Sequence, residues 1–411
     1  MIREKGRLPL LALKWTAIVL SVGALGGLTG TAFRAAVEYV TGVRAAHPWV
    51  LWLLPAVGVL IALSYRMTGM ENHGTDDVLV AARSGTGVPA LLAPMIFLAT
   101  VLTHFAGGSA GREGAALQLG GGIGNRIGRL LRLDEGGMRV ITLCGMSAVF
   151  AALFGTPVTA AVFVVESATV GALCYSGLLP ALGAALAACG VSGLFGYSLQ
   201  HYTVAAFPEL TAGTLGATAA VAAACGLLSI VFCIALRKGG AWLKKAVKNS
   251  ALRAAAGGVL LIGLTYLVGS QDYNGAGEAV IRRAIGGDAA PAAFALKLLF
   301  TVLTITAGFK GGEIVPCFFI GSTLGCVLAP LLGLPASFGA SLGLVAFFCG
   351  AVNCPIASIV LSAELFGAQG IVLYALACAV SYVISGNYSL YAAQILVSSK
   401  FDLKTENLAA K

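Results

Sequence analysis

The sequence predicts an all-α integral membrane protein, built as an inverted repeat with tilted, broken and re-entrant helices. Apolar residues make up 58% of the 411 residues and charged residues only 10%, and the mean hydropathy is +0.91. No ordinary soluble domain has this composition. A pattern of glycine, proline and carboxylate residues also returns in the second half, about 200 residues later. Such a duplicated apolar chain is typical of transporters whose helices break near the bilayer midplane.

Eleven apolar stretches approach or exceed the about 20 residues that cross a bilayer. They lie at roughly 11–33, 49–65, 90–105, 140–165, 168–194, 217–236, 254–268, 292–305, 317–332, 342–365 and 371–384. Several are short or interrupted, so they do not give a count of spans, and the fifty-five glycines fit close helix packing and half-helices. We expect a cytoplasmic N-terminus over 1–14, transmembrane repeats over 15–200 and 201–395, a cytoplasmic tail over 396–411, and no soluble regulatory domain.

The net charge of +9 comes mostly from short polar segments that flank the apolar stretches. Their basic residues are Arg3, Lys5 and Arg7; Arg126, Arg129, Arg132 and Arg139; Arg237, Lys238, Lys244, Lys245, Lys248 and Arg253; and Lys400, Lys404 and Lys411. The positive-inside rule places these segments and both termini in the cytoplasm, so we expect a multi-pass protein of the cell's inner (plasma) membrane, in contact with its lipid. The basic residues are not interleaved with aromatics on one domain, which argues against a nucleic-acid partner.

The ten cysteines indicate buried free thiols rather than a metal site or disulfides. They sit in apolar runs with no CxxC spacing and no histidine cluster nearby. We therefore expect neither a metal nor a cofactor.

The repeated residues come in the same order in both halves. Residues 72–77 return as 273–278, 111–113 return as 311–313, Gly121 returns as Gly321, and the pair Pro157 and Glu166 returns as Pro355 and Glu364. The breaks at these places point to the functional site.

The richest break in the first half is a glycine-rich turn at residues 107–114, followed by an apolar helix. The first N–H groups of a helix lack intrahelical partners and carry partial positive charge, so such a turn invites an anion. Glu113 stands at this helix start, and an ionisable residue in an apolar region predicts function. The alternative is a helix-capping carboxylate paired with Arg112.

The equivalent break in the second half spans residues 308–316 and also precedes an apolar helix. Pro316 costs little near a helix start, because its missing N–H would have had no partner. Two helix starts of opposite membrane orientation would converge on one midplane point. The breaks at 72–77 and 274–278 add two more short helix starts.

Three motifs in this order resemble those of the CLC chloride channels and proton-coupled halide transporters. Gly111–Gly114 matches the GREG segment with its gating glutamate, Gly312–Pro316 matches the GxxxP segment, and Tyr391 matches a late tyrosine. The resemblance covers residues 15–395. It implies a homodimer with a separate anion pathway in each subunit and inverted-repeat architecture.

Within that family, Lys310-Gly311-Gly312-Glu313 resembles the fluoride-exporting branch, which carries a glutamate at the last position. Ser167 follows Glu166 where chloride exchangers carry a second glutamate, so the inner proton glutamate is missing and Glu313 is its candidate replacement. Burial in a low-dielectric site would make Glu313 a proton acceptor near neutrality. One feature argues against the fluoride-exporting branch: His73 falls at or near a position where fluoride members typically have methionine and chloride members have serine. The alternative for Glu313 is a permanent pair with Lys310.

The resemblance implies a halide transporter, a fluoride (or chloride)/proton antiporter whose partners are the halide and protons. Glu113 and Glu313 would carry gating and proton coupling. The anion-binding residues would be His73, Gly74, Arg112, Gly114, Ile314, Val315 and Tyr391. Backbone N–H groups and the tyrosine hydroxyl would replace the hydration shell. The side chains of Arg112 and Lys310 are expected to support structure or the surface field, since a tightly bound cation would trap the anion.

Two other functions fit parts of the sequence. A passive chloride channel of the same fold would differ only in how often its gates open together. An intramembrane serine hydrolase would use Ser109 in a G-x-S-x-G pattern with His104 nearby, although that pattern belongs to a strand-turn-helix context, and we expect no enzyme. His73 could line the pathway, sense pH or simply hydrogen-bond at a helix break. Glu166 and Glu364 could line the mouths or pair with basic groups at helix ends.

Overall fold

Sixteen α-helices make up most of the residues that the computed structural model describes, which are 8–398, 400 and 405–409. The first-half helices are α1 (Leu8–Ala46), α2 (Leu54–Met67), α3 (Thr75–Ser84), α4 (Leu92–Ala106), α5 (Glu113–Leu130), α6 (Glu135–Phe154), α7 (Pro157–Ala168) and α8 (Tyr175–Leu194). The second-half helices are α9 (Ala212–Ala246), α10 (Ser250–Val268), α11 (Glu278–Ile285), α12 (Ala293–Ala307), α13 (Ile314–Leu331), α14 (Ala336–Val352), α15 (Pro355–Phe366) and α16 (Ile371–Ile384). A 3₁₀ helix, Pro48–Leu53, joins α1 to α2. The predicted cytoplasmic N-terminus, except Leu8 to Lys14, and the tail residues Lys404 and Lys411 lie outside the described residues.

Seven of the described helices are long and apolar enough to cross a membrane. They are α1, the 3₁₀ helix continued by α2, and α6, α8, α9, α10 and α13. Six further apolar helices have only 10 to 17 residues, too few for a straight crossing of about 30 Å. The mixture of full spans and half-helices agrees with the interrupted apolar stretches of the sequence.

The two halves repeat each other with a displacement of 201 residues around the central breaks. Helix α4 starts at Leu92 and α12 at Ala293, while α5 starts at Glu113 and α13 at Ile314 (314 − 113 = 201). Gly111 is therefore equivalent to Gly312 and Gly120 to Gly321, and the predicted matches of 111–113 with 311–313 and of Gly121 with Gly321 are each wrong by one residue. Farther along, α7 and α15 start at Pro157 and Pro355, as the sequence pattern indicated.

Glycines bring the central helices of each half into backbone contact. Helix α5 packs along α6, and α13 packs along α14. A Cβ atom on Gly120 would overlap the carbonyl of Gly145, and one on Gly321 would overlap the carbonyl of Gly343. These contacts hold the helices that begin at the central breaks, α5 and α13, against α6 and α14.

A small β-sheet near the C-terminus is the feature that an all-α prediction omits. Strand β1 (Thr169–Val170) pairs in parallel with β2 (Ile395–Ser398), which pairs antiparallel with β3 (Thr405–Ala409). The predicted tail over 396–411 thus begins inside a strand. Just before β2, the amide of Gln394 donates to the carbonyls of Ser167 and Val352, which fixes the chain after Tyr391 against the end of α7.

Candidate functional site

The starts of α5 and α13 are joined by a two-residue antiparallel bridge. Gly111 N–H donates to the Gly312 carbonyl at 2.6 Å, and Gly312 N–H donates to the Gly111 carbonyl at 2.8 Å. Glycine is required here, since a Cβ atom on Gly312 would lie 2.6 Å from the Glu113 nitrogen and 2.7 Å from the Gly114 nitrogen. The bridge places two helix N-termini side by side, as the repeat predicted.

The Glu113 carboxylate fills the space between these two helix starts. Its side chain is completely buried, and neither carboxylate oxygen has a hydrogen bond of ordinary geometry. One oxygen lies against the Cα atoms of both Gly111 and Gly312, and the backbone N–H groups of Glu113 and Val315 face the carboxylate. A carboxylate held only by helix N-termini occupies the place where an anion would be stabilised.

Arg112 does not form an ion pair with Glu113. Its guanidinium Nη2 lies 2.7 Å from Glu278 Oε1, and its Nη1 lies 3.8 Å from Glu38 Oε1. Arg112 belongs to the predicted anion-binding set, and this network turns its charge toward those two carboxylates. The structure therefore gives no support to the alternative of a Glu113 that caps a helix and pairs with Arg112.

Glu313 has surroundings different from those of Glu113. It precedes α13 as the N-cap residue, which makes it the equivalent of Arg112, the N-cap of α5. Its side chain is partly exposed and lines a large cavity. One Glu313 carboxylate oxygen lies 3.5 Å from the position that a Cβ atom on Gly114 would occupy. No salt bridge within the described residues joins Glu313 to Lys310, so the predicted alternative of a permanent pair finds no support.

Two cavities reach residues around this point. The large cavity, about 1110 Å³, is lined by Lys244 and Lys248 near the C-terminal end of α9, and it reaches Glu313. The small cavity, about 30 Å³, is lined by Gln200 and Tyr202, which precede α9, and by Arg112, Glu278, Val315 and Phe318. Residues next to the Glu113 carboxylate therefore line different cavities: Gly311 and Glu313 line the large one, and Arg112 and Val315 line the small one.

The first break, before α3, contributes His73 and Gly74 to the wall of the large cavity. His73 Nδ1 lies 3.0 Å from Asp77 Oδ1, and Gly74 N–H donates to Asp77 Oδ2 at 2.7 Å. The Gly74 amide is thus occupied by a carboxylate of its own helix. The arrangement fits the hydrogen-bonding role that the sequence allowed for His73, and a part in anion binding for either residue stays a prediction.

The late tyrosine reaches the same region from the C-terminal end of the transmembrane part. Tyr391 is buried, and its hydroxyl lies within electrostatic range of Glu313 and Glu113. Two residues on, the Ala393 N–H donates to Asp76 Oδ1 at 3.0 Å, which docks this loop on the start of α3. The predicted elements around the site therefore assemble in one place.

Glu166 and Glu364 each accept hydrogen bonds from the start of a helix in the other half of the chain. Glu166 accepts hydrogen bonds from the N–H groups of Ile356 and Ala357 at the start of α15, at 3.1 and 2.8 Å. Glu364 accepts from Val158 and Thr159 at the start of α7, at 2.9 and 2.7 Å. Of the predicted alternatives, this geometry matches helix-end partners, although the partners are helix N-termini rather than basic groups.

Two buried basic side chains near the site, those of Lys297 and Arg44, were not predicted from the sequence. Lys297 is completely buried, and its Nζ donates to the carbonyls of Gly275 at 2.6 Å and Tyr273 at 3.2 Å. Arg44 Nη1 donates to the His104 carbonyl at 2.8 Å. A lysine inside an apolar run is a signal that the sequence offered, since charges at membrane depth are costly.

Ser109 and His104 do not form a nucleophile–base pair. Ser109 Oγ lies 3.1 Å from Thr301 Oγ1, while His104 Nδ1 lies 2.9 Å from the Thr100 carbonyl. The hydrogen bond between a serine nucleophile and a histidine base, which the hydrolase alternative requires, is therefore not formed.

All ten cysteines are free, as predicted, and eight of them are buried.

Comparisons with known proteins give a consistent result. The family model for voltage-gated chloride channels matches residues 57–386. A chloride/fluoride channel protein from Pseudomonas syringae pv. tomato is 37% identical over 401 residues, which cover 96% of this chain and 88% of that protein. The crystal structure of a CLC-type fluoride/proton antiporter matches with a TM-score of 0.90 and 33% identity, over 94% of this chain and 98% of that chain. A slow cyanobacterial Cl⁻/H⁺ antiporter matches in fold, with a TM-score of 0.79 and 18% identity, over 90% of this chain and 94% of that chain.

Proposed function

The chain belongs to the voltage-gated chloride channel (CLC) family, which its motifs resemble, and on this premise we propose that it exchanges a halide for protons across a membrane. It is an integral, multi-pass membrane protein with the predicted CLC-type fold, and a transport protein rather than an enzyme. Fluoride is the favoured halide. A relative at 37% identity is named a chloride/fluoride channel protein, and a structure at 33% identity is that of a fluoride/proton antiporter.

The observation that carries this proposal is the position of the Glu113 carboxylate. It lies without a hydrogen bond between two helix N-termini, and the residues beside it line the two cavities, Glu313 the large one and Val315 the small one. When ionised, the carboxylate occupies the anion's place and closes the path. When protonated, it loses its attraction to the helix N-termini and leaves, so anion and proton compete for one position.

Glu313 is the proposed inner proton carrier. It lines the large cavity and stands one residue before α13, next to the Gly114 backbone. Protons arriving through the cavity would reach Glu313 before Glu113, which is completely buried.

Backbone groups form the proposed anion site. The N–H groups of Gly114, Ile314 and Val315 belong to the first turns of α5 and α13, where helix amides lack intrahelical partners. The Tyr391 hydroxyl adds a donor without a full positive charge, so the anion binds and still leaves. Arg112 would contribute indirectly, through its ion pairs with Glu278 and Glu38. His73 and Gly74 would contribute as part of the wall of the large cavity.

The orientation and assembly are further parts of the proposal. Basic residues lie at the large-cavity end of α9, so this cavity would face the cytoplasm, with both termini on that side of the inner membrane. The resemblance to the family adds a homodimer with one pathway per subunit, surrounded by membrane lipid.

Reconstitution in liposomes tests the function. Purified protein is placed in vesicles with imposed pH gradients, and fluoride and chloride movements are followed with ion-selective electrodes. We expect a pH gradient to drive fluoride against its own gradient, and chloride more weakly. Downhill halide flow that ignores the pH gradient would instead identify a passive channel.

A further inference from the structure

We propose that Asp76 and Arg83, at the two ends of α3, are positioning residues for the halide, because together they hold the loop that carries Tyr391 at the central site. This inference rests on the proposed function, in which the Tyr391 hydroxyl binds the anion. Asp76 Oδ1 accepts a hydrogen bond from the Ala393 N–H at 3.0 Å, and Arg83 Nη1 donates to the Ala393 carbonyl at 2.9 Å. Charged side chains of one helix thus bind both backbone polar groups of Ala393, two residues after the tyrosine.

The loop that carries Tyr391, residues 385–394, joins α16 to β2 without regular secondary structure of its own. Irregular backbone at membrane depth needs partners from the surrounding protein. Before the tyrosine, the Leu390 N–H donates to the Ala351 carbonyl of α14 at 2.9 Å, so the second half of the chain holds this side of the loop. After the tyrosine, the two bonds to Ala393 come from α3, in the first half. Tyr391 therefore stands between two points of attachment.

Helix α3 is itself fixed against α5, the helix that starts at the central site. The amide of Gln118 in α5 donates to Thr75 Oγ1, at the first residue of α3, at 3.0 Å. The two helices also pack closely, since a Cβ atom on Gly121 of α5 would overlap the Val78 side chain of α3. Through α3, the Tyr391 loop is thus held in a fixed position relative to α5. The position of the tyrosine hydroxyl relative to the N–H groups of the central site depends on this connection.

An acidic residue in the first turn of a helix and a basic residue in its last turn also complement the helix dipole. Asp77 has such a local role, because its carboxylate accepts the Gly74 N–H at the start of α3. Asp76 and Arg83 instead reach another part of the chain. Arg83 Nη1 also lies 3.5 Å from the Ala168 carbonyl at the end of α7. Their contacts therefore indicate a role in holding the loop, beyond the stability of α3 itself.

Loss of either contact would change halide binding through the tyrosine. The Ala393 N–H or carbonyl would lose its partner, and the loop would shift to satisfy that group elsewhere. A hydrogen bond weakens steeply when its atoms move out of alignment, so the Tyr391 hydroxyl would lose its hold on the anion. The N–H groups of α5 and α13, and the carboxylates of Glu113 and Glu313, would stay in place. We therefore expect weaker halide binding with proton coupling retained.

Calorimetric titration of fluoride into the purified full chain tests the inference. Tyr391→Phe, which removes only the hydroxyl, and Asp76→Ala should each weaken fluoride binding several-fold. The double variant should bind no more weakly than Tyr391→Phe alone, because both changes remove the same contact. Asp76→Asn keeps an acceptor oxygen for the Ala393 N–H and should restore most of the affinity. Asp288→Ala is the matched control, since Asp288 is exposed in the loop between α11 and α12, and it should bind fluoride as wild type does.

Arg83→Met provides a second variant, which should weaken fluoride binding in the same way because it removes the donor to the Ala393 carbonyl. Unchanged affinity in both Asp76→Ala and Arg83→Met, or in Tyr391→Phe, would overturn the inference. So would a loss in the double variant equal to the product of the two single losses, since Asp76 would then act independently of the tyrosine.

Fluoride uptake into liposomes under a pH gradient separates this inference from the proposed function. Uptake driven by protons should persist in Asp76→Ala once fluoride is raised enough to offset the weaker binding. Its loss in this variant alone would assign Asp76 to the proton route and overturn the positioning role. Absence of such uptake in wild type would contradict the proposed function, whatever the calorimetry of the variants shows.

Discussion

At the scale of single residues, the two carboxylates of the site have different environments and so suit different tasks. Glu113 is completely buried between two helix N-termini, whereas Glu313 is partly exposed to a cavity of about 1110 Å³. Glu113 therefore fits a gate that competes with the anion. Glu313 fits a carrier that exchanges protons with water on the cavity side.

Replacing Glu313 tests this division of tasks. Glu313→Gln keeps the backbone N–H groups of α13, so we expect halide binding to persist with an affinity within about tenfold of wild type, or ~1.4 kcal/mol. Coupling should be lost, because glutamine cannot carry a proton. Calorimetry measures the first result, and fluoride uptake under a pH gradient measures the second.

A control for Glu313→Gln is Glu209→Gln, in the exposed loop before α9, which should retain coupled transport. Persistent proton-driven fluoride uptake in Glu313→Gln would place the inner proton route elsewhere.

The sequence predicted well which residues come together at the site. It predicted less well what contacts each of them makes there. Glu113 and Tyr391 were predicted from motifs, and the structure brings both to the same region. The match of Glu113 with Glu313 was wrong by one residue, since both stand in glycine-rich turns and only the helix starts fix the register. The bond from the Gly74 amide to Asp77 was also not predicted. It depends on local backbone geometry, which composition and spacing do not reveal.

At the scale of helices and strands, glycine contacts set the spacing between the helices that begin at the site and the helices packed beside them. Helices α13 and α14 meet where the carbonyls of Gly321 and Gly343 face the opposing glycine. Small residues permit such close approach in a membrane, where dispersion and backbone contacts hold helices together.

We expect Gly343→Ala to destabilise the protein. Its Cβ atom would overlap the Gly321 carbonyl, and overpacking of this kind costs about 1–3 kcal/mol. The midpoint of thermal unfolding in detergent should fall. Gly263→Ala is the matched control, because Gly263 lies inside α10 with no atom within 4 Å of a Cβ, and alanine is the better helix former. An equal midpoint for the two variants would contradict the packing role.

The reciprocal caps join the two repeats at a second place. Each of Glu166 and Glu364 accepts two backbone N–H groups from the opposite half. These bonds satisfy helix amides that would otherwise lack partners at membrane depth.

Glu166→Gln should cost stability and leave coupling intact. Losing charge-assisted hydrogen bonds to Ile356 and Ala357 is worth about 1.5–3 kcal/mol, so the thermal midpoint should drop. Fluoride uptake under a pH gradient should continue in the folded fraction. Loss of coupling at unchanged stability would instead assign Glu166 to the proton route.

The helices were easier to predict than the strands. Apolar length indicated most of the helices, because lipid forces backbone groups to pair within helices, but the predicted stretches 140–165 and 342–365 each cover two helices. The sheet of β1, β2 and β3 was missed, since its strands have only two to five residues. Pairing of Thr169 with Ile395 depends on long-range folding, which a short sequence pattern does not specify.

At the scale of the whole molecule, two cavities reach residues next to one buried carboxylate, that of Glu113. The large cavity reaches Glu313, and the small one is lined by Val315. The inverted repeat explains this arrangement, since it brings two helix starts of opposite orientation to the same point. A single group that blocks the anion when ionised and leaves when protonated would make such a path an exchanger rather than an open pore.

The most direct test of this account follows proton movement driven by fluoride. Vesicles loaded with fluoride, with the membrane potential clamped by potassium and valinomycin, are placed in weakly buffered medium with a pH electrode. Wild-type protein should take protons up from the medium, against a modest pH gradient, as fluoride leaves. Glu113→Gln should release or retain fluoride without moving protons. Fluoride efflux from wild type without proton uptake, or proton uptake that survives Glu113→Gln, would contradict the central claim.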